Sequence, residues 1–500
     1  HGAVDLQLSG GGAPRTALLL DTVDWSPGAP FEVDGTLTLS DWRAENASIA
    51  ADELAIGIAV APDGGGRIDL RGPARITGPI GDGEVRDMIA SLDLAVLWRQ
   101  GWRVAPNGCV PIRMGGLDAA GLSFANGALS LCPTGEALIA ADARRNLSGG
   151  FSIRELALNG RMAGPDAQPA QLAAATLTGQ FRGVTNDITL ALQASRPRLT
   201  ITMAEDRALN LALQSVTANA RIGGGSWSIE GDFQQGTLND QALPGVVTTI
   251  AGQWRASPRE GAGPLIEVTS GEALLTAHEP QTNTERPLFN PMRLANVSAV
   301  LSDGTVNANG AIVLDAGRQQ LAAFTATHDI SDGAGATRIN AESVTFDETL
   351  QPYNITERAR GMVENMRGAA SLVADVGWTR DALSATGTIS TAGVSFATAT
   401  MPVVQDVRGA IYFDDLFTLT TPPGQSVTVG LINPGLAARN GQIRFQLLPD
   451  QRVSIERAEF EFAGGVLAMA PTIVRLGEDE TRIELTLSDV DAADLIANLN

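Results

Sequence analysis

The stretch Gln425-Ser426-Val427-Thr428-Val429-Gly430-Leu431 alternates apolar with polar or small residues, and the same rhythm runs from about Ser390 to Leu487. Further apolar positions in this region are Ile443, Phe445 and Leu447, then Phe460 and Phe462, then Ile483, Leu485 and Leu487. Side chains of a β-strand point alternately to opposite faces, so each run predicts a strand with one apolar face. Asn440-Gly441 and Gly464-Gly465 favour tight turns, and the region is therefore predicted to be an antiparallel meander.

Composition excludes several classes of protein. The chain has 500 residues, 35 basic and 56 acidic, for a net charge of −21, and all of its basic residues are Arg. This charge disfavours nucleic-acid binding, which needs a concentrated basic surface. The chain has no lysine, which phosphate-binding loops of the Walker type, Ser-x-x-Lys acylation and Schiff-base catalysis all need. A hydrophobic content of 44% indicates a folded chain.

The alternation extends back to Val4 and predicts an all-β protein. At about one strand per ~12 residues, we expect on the order of 35–40 strands in an elongated, twisted and mostly antiparallel sheet. Two stretches depart from this rhythm. Asp82–Leu92 has apolar residues at helical spacing behind an acidic cap, and Asn354–Arg367 begins with Asn354 and Glu357 in the arrangement of a capping box. Both stretches are predicted to be short helices.

The polar, proline-bearing stretch 278–287 and the second predicted helix divide the chain into three expected segments. These are residues 1–276, 277–350 and 351–500. The chain begins with His1 without a leader, and residues 491–500 read as the start of a helix with an acidic cap. We therefore interpret the sequence as a segment of a longer or processed protein.

Residues for catalysis or metal binding are scarce. His1, His278 and His328 are the only histidines, and none has a ligand partner at metal-binding spacing, so we expect no metal and no cofactor. Acidic residues such as Asp414, Asp415 and Glu478 lie at predicted turns, where they are typical of solvated loops. A polysaccharide-active enzyme that uses them as paired carboxylates is an alternative.

Cys109 and Cys132 flank a segment with strand rhythm and turn glycines. Two interpretations stay open for this pair. A disulfide could close the small loop in an oxidising compartment, or the two residues could be buried thiols that never meet. The sequence does not show whether the Cβ atoms converge, which a disulfide requires.

Aliphatic residues dominate the predicted strands, whereas aromatic residues make up only 5% of the chain. This disfavours a carbohydrate-binding face built on stacked aromatic rings. An aliphatic face suits either a closed core, packed against itself, or a trough for acyl chains. Hydrocarbon is recognised by buried area, at ~0.8 kcal/mol per CH₂, and needs no catalytic group. Composition alone favours the closed core.

Four sequence words follow one another in the last third of the chain. They are Pro402-Val403-Val404-Gln405-Asp406-Val407-Arg408-Gly409-Ala410-Ile411, Ile432-Asn433-Pro434-Gly435, Asn440-Gly441 before Ile443-Arg444-Phe445, and Phe460-Glu461-Phe462-Ala463-Gly464-Gly465. Together they resemble the C-terminal module of the YdbH-like proteins, a branch of the AsmA-like envelope proteins to which TamB also belongs. The resemblance covers the region from Ala369 to Asn500.

The resemblance implies a periplasmic bridge that conducts phospholipid between the inner and outer membranes without catalysis. It further implies an N-terminal anchor in the inner membrane and a small outer-membrane lipoprotein as partner at the C-terminal end. It reverses the preference for a closed core, so the expected sheet is rolled into an open apolar groove. The implied groove-facing residues are Ile411, Phe413, Val427, Val429, Ile443, Phe445, Phe460, Phe462, Ile483 and Leu485. A structural, adhesin-like β-solenoid and a polysaccharide-active β-helix enzyme stay as alternatives.

Overall fold

The fold was analysed in a computed structural model. It describes residues 4–10, 13–26, 28–44, 47–80, 83–119, 121–162, 167–184, 186–204, 207–240, 243–259, 262–278, 286–314, 319–379, 382–398, 403–433, 437–475, 483–491 and 493–494. These residues form 32 strands and very little helix, which confirms the predicted all-β fold. The number is slightly below expectation because several strands run for 14 to 16 residues.

The chain divides into two units. Unit 1 comprises His1–Asp240, Thr249–Ser270 and Val300–Gly304, and unit 2 comprises Gln241–Thr248, Gly271–Ala299 and Thr305–Asn500. The division into residues 1–276, 277–350 and 351–500 stays a prediction. Much of the polar stretch 278–287 lies outside the described residues.

Unit 1 contains the first seventeen strands. They are β1 (Val4–Gly10), β2 (Ala13–Asp24), β3 (Phe31–Ala44), β4 (Ala47–Val60), β5 (Gly66–Ile80), β6 (Gly83–Trp98), β7 (Trp102–Pro106), β8 (Val110–Ala119), β9 (Leu122–Pro133), β10 (Ile139–Ala141), β11 (Leu147–Met162), β12 (Pro169–Val184), β13 (Asp187–Ser195), β14 (Arg198–Ala204), β15 (Arg207–Ala212), β16 (Ser215–Gly223) and β17 (Ser226–Asn239).

Strands β1 to β6 pair in chain order, each antiparallel to the next. After that, long strands are flanked by two shorter ones placed end to end. β6 pairs with β7 along one half and β8 along the other, and both routes rejoin at β11 through β10 and β9. β12 likewise pairs with β13 and β14, which rejoin at β17 through β16 and β15. Antiparallel pairing therefore continues across the unit even though individual strands end.

Three strands contribute residues to both units: β18 (Gly245–Arg259), β19 (Ala262–Ala277) and β20 (Met292–Ser302). The strands that follow belong to unit 2. They are β21 (Thr305–Leu314), β22 (Gln320–Asp329), β23 (Gly335–Phe346), β24 (Glu364–Trp378), β25 (Leu383–Ala397), β26 (Val404–Phe413), β27 (Gln425–Ile432), β28 (Ala438–Leu448), β29 (Arg452–Phe462), β30 (Gly465–Met469), β31 (Thr472–Arg475) and β32 (Leu485–Ser488).

Strands β21 to β29 of unit 2 pair with one another in chain order, and β29 then pairs with both β30 and β31. The turn between β29 and β30 is made by Ala463 and Gly464, both at positive φ. Asn440-Gly441, predicted to be a turn, instead lies inside β28. The meander predicted from the sequence is confirmed, but this one turn was wrongly placed.

The helix predicted over Asp82–Leu92 is wrong, because β6 occupies this stretch, and Asp82 itself lies outside the described residues. Asp87 has a φ of 47°, which interrupts the strand alternation. Its N–H donates to the side-chain oxygen Thr77 Oγ1 at 3.0 Å. Val85 and Met88 consequently face the same apolar cluster although they are three residues apart. The helical spacing came from an irregular strand.

The helix predicted over Asn354–Arg367 is largely wrong. A single four-residue helix, α1 (Pro352–Ile355), is followed by a 3-10 turn at Glu357–Ala359, and β24 begins at Glu364. Asn354 is not the cap, since its Oδ1 accepts a hydrogen bond from the Gln351 N–H at 2.8 Å inside the turn. At the chain end, Asp491 Oδ1 accepts from the N–H groups of Ala493 and Asp494, which are helical. The remainder of the helix predicted there lies outside the described residues.

Cys109 and Cys132 are joined by a disulfide in the structure, with their Cα atoms 4.0 Å apart. The bond lies at the open end of the β8–β9 hairpin, next to the pair formed by Val110 and Leu131. Cys132 also lies opposite Ser152 of β11, so the bond joins the residue before β8 to a position of β9 that pairs with the next long strand.

We predict that replacing both cysteines with Ser lowers the free energy of unfolding by about 3 kcal/mol, because the unfolded chain regains the freedom of the closed loop. Chemical denaturation followed by circular dichroism measures this. Adding a reductant to the wild-type chain should give the same loss, whereas the double variant should not respond to it. An unchanged denaturation midpoint in the double variant would contradict a stabilising bond.

Candidate functional site

One apolar cluster of unit 2 is formed by side chains from β24 to β31 and is here called the rolled cluster. Its buried members are Val394, Val404, Val407, Val427, Val429, Ile432, Ala438, Phe445, Ile455, Ala458, Phe460 and Phe462. A single sheet buries one of its faces to this extent only if something covers that face. All members of the cluster, including the half-buried ones, come from this group of strands or the turn between β29 and β30. The sheet of unit 2 therefore curls so that its apolar face covers itself.

Seven of the ten groove-facing residues proposed from the sequence meet in the rolled cluster. Val427, Val429, Phe445, Phe460 and Phe462 are buried there, and Ile411 and Ile443 pack against it half-buried. Phe413 is buried at the end of β26 outside the cluster. Leu485 is 53% exposed in β32, and Ile483 lies half-buried before that strand. Whether these residues contact lipid stays a prediction.

Sequence alternation missed several members of the cluster because a line of irregular backbone crosses the strands. We call this line the crease and define it by Gly368, Gly393, Asp406, Gly430 and Asn440. Asp406 and Asn440 have φ values of 54° and 49°, and both lie opposite Gly430 in register. Each irregular residue reverses which face the following side chains occupy.

The effect of the crease is clearest in two neighbouring strands. Val404 and Val407 are both buried in β26, although they are three residues apart, and so are Val429 and Ile432 in β27. The signal was present in the sequence as glycine or Asx residues at matching places in successive strands. Of these residues, the sequence pattern assigns only Asn440 to a turn, because a single sequence gives no register between strands.

A polypeptide segment closes a second apolar cluster in unit 2. We call residues 347–363 the strap. Its Leu350 is buried among Ile312, Leu314, Val344 and Phe346. Gln351 fixes the strap to β24, since its Nε2 donates to the carbonyl of Met366 and its Oε1 accepts from the Met366 N–H, both at 2.8 Å.

Two further side chains attach the strap to the rest of unit 2, one from outside the strap and one of its own. Asn290 Nδ2 donates to the carbonyls of Tyr353 and Asn354, each at 3.0 Å, and Arg358 Nη1 donates to the carbonyl of Phe417 at 3.0 Å. Both side chains donate to backbone oxygens. The strap is therefore held through its own Gln351 and Arg358 as well as through Asn290.

The apolar face of unit 1 is more open. In β13, Ile188, Leu190 and Leu192 alternate with exposed polar or small residues but are themselves only half-buried. Strand β17 repeats this with Trp227 and Ile229. These apolar side chains are less buried than those at the centre of the rolled cluster, so part of their hydrocarbon surface meets solvent. These strands therefore present hydrocarbon surface to solvent.

Aromatic rings of the apolar face lie over glycines of the adjacent strand. Phe181 covers Gly149 and Phe151 covers Gly179, each pair being directly opposite in register. The same pairing joins Gly66 to Trp98, Gly310 to Phe324 and Gly335 to Trp378. A glycine lets the ring lie down on the sheet instead of standing upright, so the face stays shallow.

The opposite face carries arginine–carboxylate pairs across strands. Arg221 donates from Nε and Nη2 to Asp187 at 3.1 and 2.9 Å, and this hydrogen bonding holds the pKa of Asp187 below its ordinary value. Arg86 donates from Nη1 to Asp118, and this bond, together with that from the Ser123 hydroxyl, lowers the pKa of the Asp118 carboxyl. Such exposed pairs contribute little stability each, but they keep one face polar while the other is apolar.

The carboxylates considered for catalysis have local roles. Asp415 Oδ1 accepts from the N–H groups of Phe417 and Thr418, and Asp414 Oδ1 accepts from the Thr420 hydroxyl at 2.9 Å. Both therefore close the turn after β26. Glu478 lies outside the described residues. In the part of the chain that the structure describes, no group of three or more His, Cys, Asp or Glu is placed to hold a metal ion, and no helix is long and apolar enough to cross a membrane.

A curled antiparallel sheet with one aliphatic face offers the kind of surface on which hydrocarbon is held by contact area. A family model described as "YdbH-like: Intermembrane phospholipid transport protein YdbH" matches residues 2–500, and the chain belongs to this family. The family match thus extends the resemblance of the last third to the whole chain. No curated protein and no solved structure matched it. The family acts in the cell envelope as a phospholipid transporter and not as an enzyme, which confirms these expectations.

We predict that Gly441→Ala destabilises the protein by about 1–3 kcal/mol, because a Cβ at this position would overlap the ring of Phe460 in the rolled cluster. Denaturant unfolding measures the change. Gly135→Ala is the matched control, since open space surrounds that position, and it should stay within about 0.5 kcal/mol of wild type. Equal stability of the two variants would show that the ring does not rest on Gly441.

Proposed function

We propose that the chain conducts phospholipid passively, with acyl chains lying on the apolar face of its sheet. The observation that carries this proposal is the half-buried aliphatic surface of β13 and β17. Contiguous apolar surface left in contact with water is costly and is typical of a binding surface. Acyl chains fit it because they match its chemistry and need no directional contact.

The physical consequence is a smooth path. Each CH₂ group that leaves water contributes ~0.8 kcal/mol wherever it lies on an aliphatic surface. A chain that slides by one residue exchanges one such contact for another of similar free energy. Movement along the face therefore needs no energy source in the protein, and the aromatic rings lying on glycines keep the surface free of steps.

In unit 2 the same kind of face is closed by its own curl and by the strap. We propose that the groove candidates of the rolled cluster, such as Val429 and Phe445, contact acyl chains when the curl opens. The crease supports this, because it crosses five neighbouring strands at the same level. A sheet bends there while losing few of the hydrogen bonds between its strands.

The deciding experiment is photo-crosslinking in cells from probes at Leu190 and Phe445, with Thr189 and Arg444 as controls from the opposite faces of the same strands. We expect phospholipid adducts from Leu190 and Phe445 only, detected by mass spectrometry of the purified chain. Lipid from Leu190 alone would confine the path to the open face of unit 1. Crosslinks from Leu190 and Phe445 to protein only would leave a structural β-protein with closed cores.

We further propose that the protein acts in the periplasm, attached to the inner membrane by an N-terminal anchor and meeting a small outer-membrane lipoprotein at its C-terminal end. The disulfide supports an oxidising compartment. The last strands support a partner site, because Ile473, Leu485 and Leu487 are exposed there. A strand edge with exposed apolar residues can accept a strand from another chain.

We predict that the double variant Leu485→Asp and Leu487→Asp loses capture of the lipoprotein, because charges on β32 oppose the addition of a further strand. Co-purification of the full-length protein with the co-expressed lipoprotein measures this. Leu383→Asp, an exposed leucine in β25, is the control and should leave capture intact. Capture that survives the double variant would place the partner elsewhere. An anchor would be shown by membrane retention that depends on the residues preceding this chain.

A further inference from the structure

One charged pair lies on the apolar side of the sheet rather than on its polar side. Arg207 begins β15 and Asp240 directly follows β17, and these strands pair through Leu211 and Leu238. Along β15, Leu209 is buried and Asn210 is exposed, so Arg207 shares the parity of the apolar residues. Asp240 shares the parity of Leu238. The side chain of Arg207 is 14% exposed and that of Asp240 is 2% exposed.

The guanidinium of Arg207 is poorly satisfied. Its Nε and Nη2 atoms are buried and have no hydrogen-bond partner among the described residues. Asp240 Oδ1 lies 3.9 Å from Nη2, which is beyond hydrogen-bond reach. On the polar face, by contrast, the same two atoms of Arg221 both bond Asp187. Buried donors without acceptors are rare in folded proteins, so this arrangement calls for an explanation.

The unsatisfied atoms are the two that form the side-on fork of a guanidinium. This fork matches two oxygens of a phosphate group. The carboxylate of Asp240 lies beside it and is suited to an ammonium group. Around them the apolar face offers Ile201 and Met203 of β14, both buried. The neighbourhood thus combines a phosphate-binding fork, a carboxylate and hydrocarbon surface.

We propose that Arg207 and Asp240 form a headgroup site for a zwitterionic phospholipid, in which Arg207 binds the phosphate and Asp240 binds the ammonium. This inference rests on the proposed lipid path and assigns it a polar contact point. The acyl chains of the bound lipid lie along β14 and β15. In the lipid-free chain the fork is covered by its neighbours, and the headgroup displaces them on binding.

Charge favours a zwitterionic headgroup over an anionic one. Asp240 lies close to the fork, and the sequence before Arg207 is Glu205-Asp206. The whole chain carries a net charge of −21. An anionic lipid that places its phosphate on Arg207 would meet this negative field without compensation, whereas an ammonium group turns Asp240 into a partner.

The test is lipid competition. The purified chain is equilibrated with vesicles of equal phosphatidylethanolamine and phosphatidylglycerol, and bound lipids are counted by native mass spectrometry. We expect wild type to be enriched in phosphatidylethanolamine, and Arg207→Met and Asp240→Asn to lose about threefold or more of this enrichment, which corresponds to one weak net hydrogen bond. Arg221→Met and Asp187→Asn remove the matching pair on the polar face and should retain it.

Other outcomes separate the two proposals. Lipid bound by wild type without headgroup preference, or equal preference in wild type and both site variants, would overturn the headgroup site while leaving the lipid path intact. No phospholipid on wild type would overturn the lipid path itself and the site with it. A structural pair would lower the melting temperature of the variants without changing the lipid ratio. If Arg207→Met does not fold, Arg207→Lys, which keeps the charge and loses the fork, should show reduced enrichment.

Discussion

A single-layer sheet with one apolar face has to cover that face or leave it wet, and this constraint shapes both units of the protein. Antiparallel pairing satisfies the backbone along each strand but says nothing about the faces. The free energy of burying the aliphatic face therefore decides how the sheet folds. Unit 2 covers it by curling and by placing the strap across it, whereas β13 and β17 of unit 1 leave it half-exposed.

Curling needs backbone that departs from regular strand geometry, and the crease supplies it. Asp406 and Asn440 adopt positive φ at a cost that Asn and Asp tolerate better than most residues. Gly430 lies between them, where a side chain would meet Asp406. Because each irregular residue reverses the side-chain parity, valines on both sides of the crease reach the same cluster. The curl and the composition of the rolled cluster thus have one cause.

Polar groups are distributed according to the same constraint. On the polar face, arginines form short ion pairs with carboxylates while both side chains stay exposed to solvent, as Arg221 does with Asp187. On the apolar face an unsatisfied guanidinium costs far more, because no solvent compensates it. The position of Arg207 is therefore informative about function in a way that the other ion pairs are not. It is consistent with a family whose ligand combines two hydrocarbon chains with a phosphate.

The sequence by itself determined the all-β class, the antiparallel meander, the absence of lysine chemistry and the family, because each depends on local alternation, composition or short words. It also placed seven candidate residues in one cluster, since strand parity holds between irregularities. Tertiary structure decided the rest. The spacing of Val85 and Met88 resembled that of a helix because the positive φ of Asp87 interrupts the alternation of β6. Asn440-Gly441 has the sequence of a turn but lies inside β28. The joining of Cys109 to Cys132, the closure by the strap and the meeting of Arg207 with Asp240 depend on register between distant strands, which no single strand encodes.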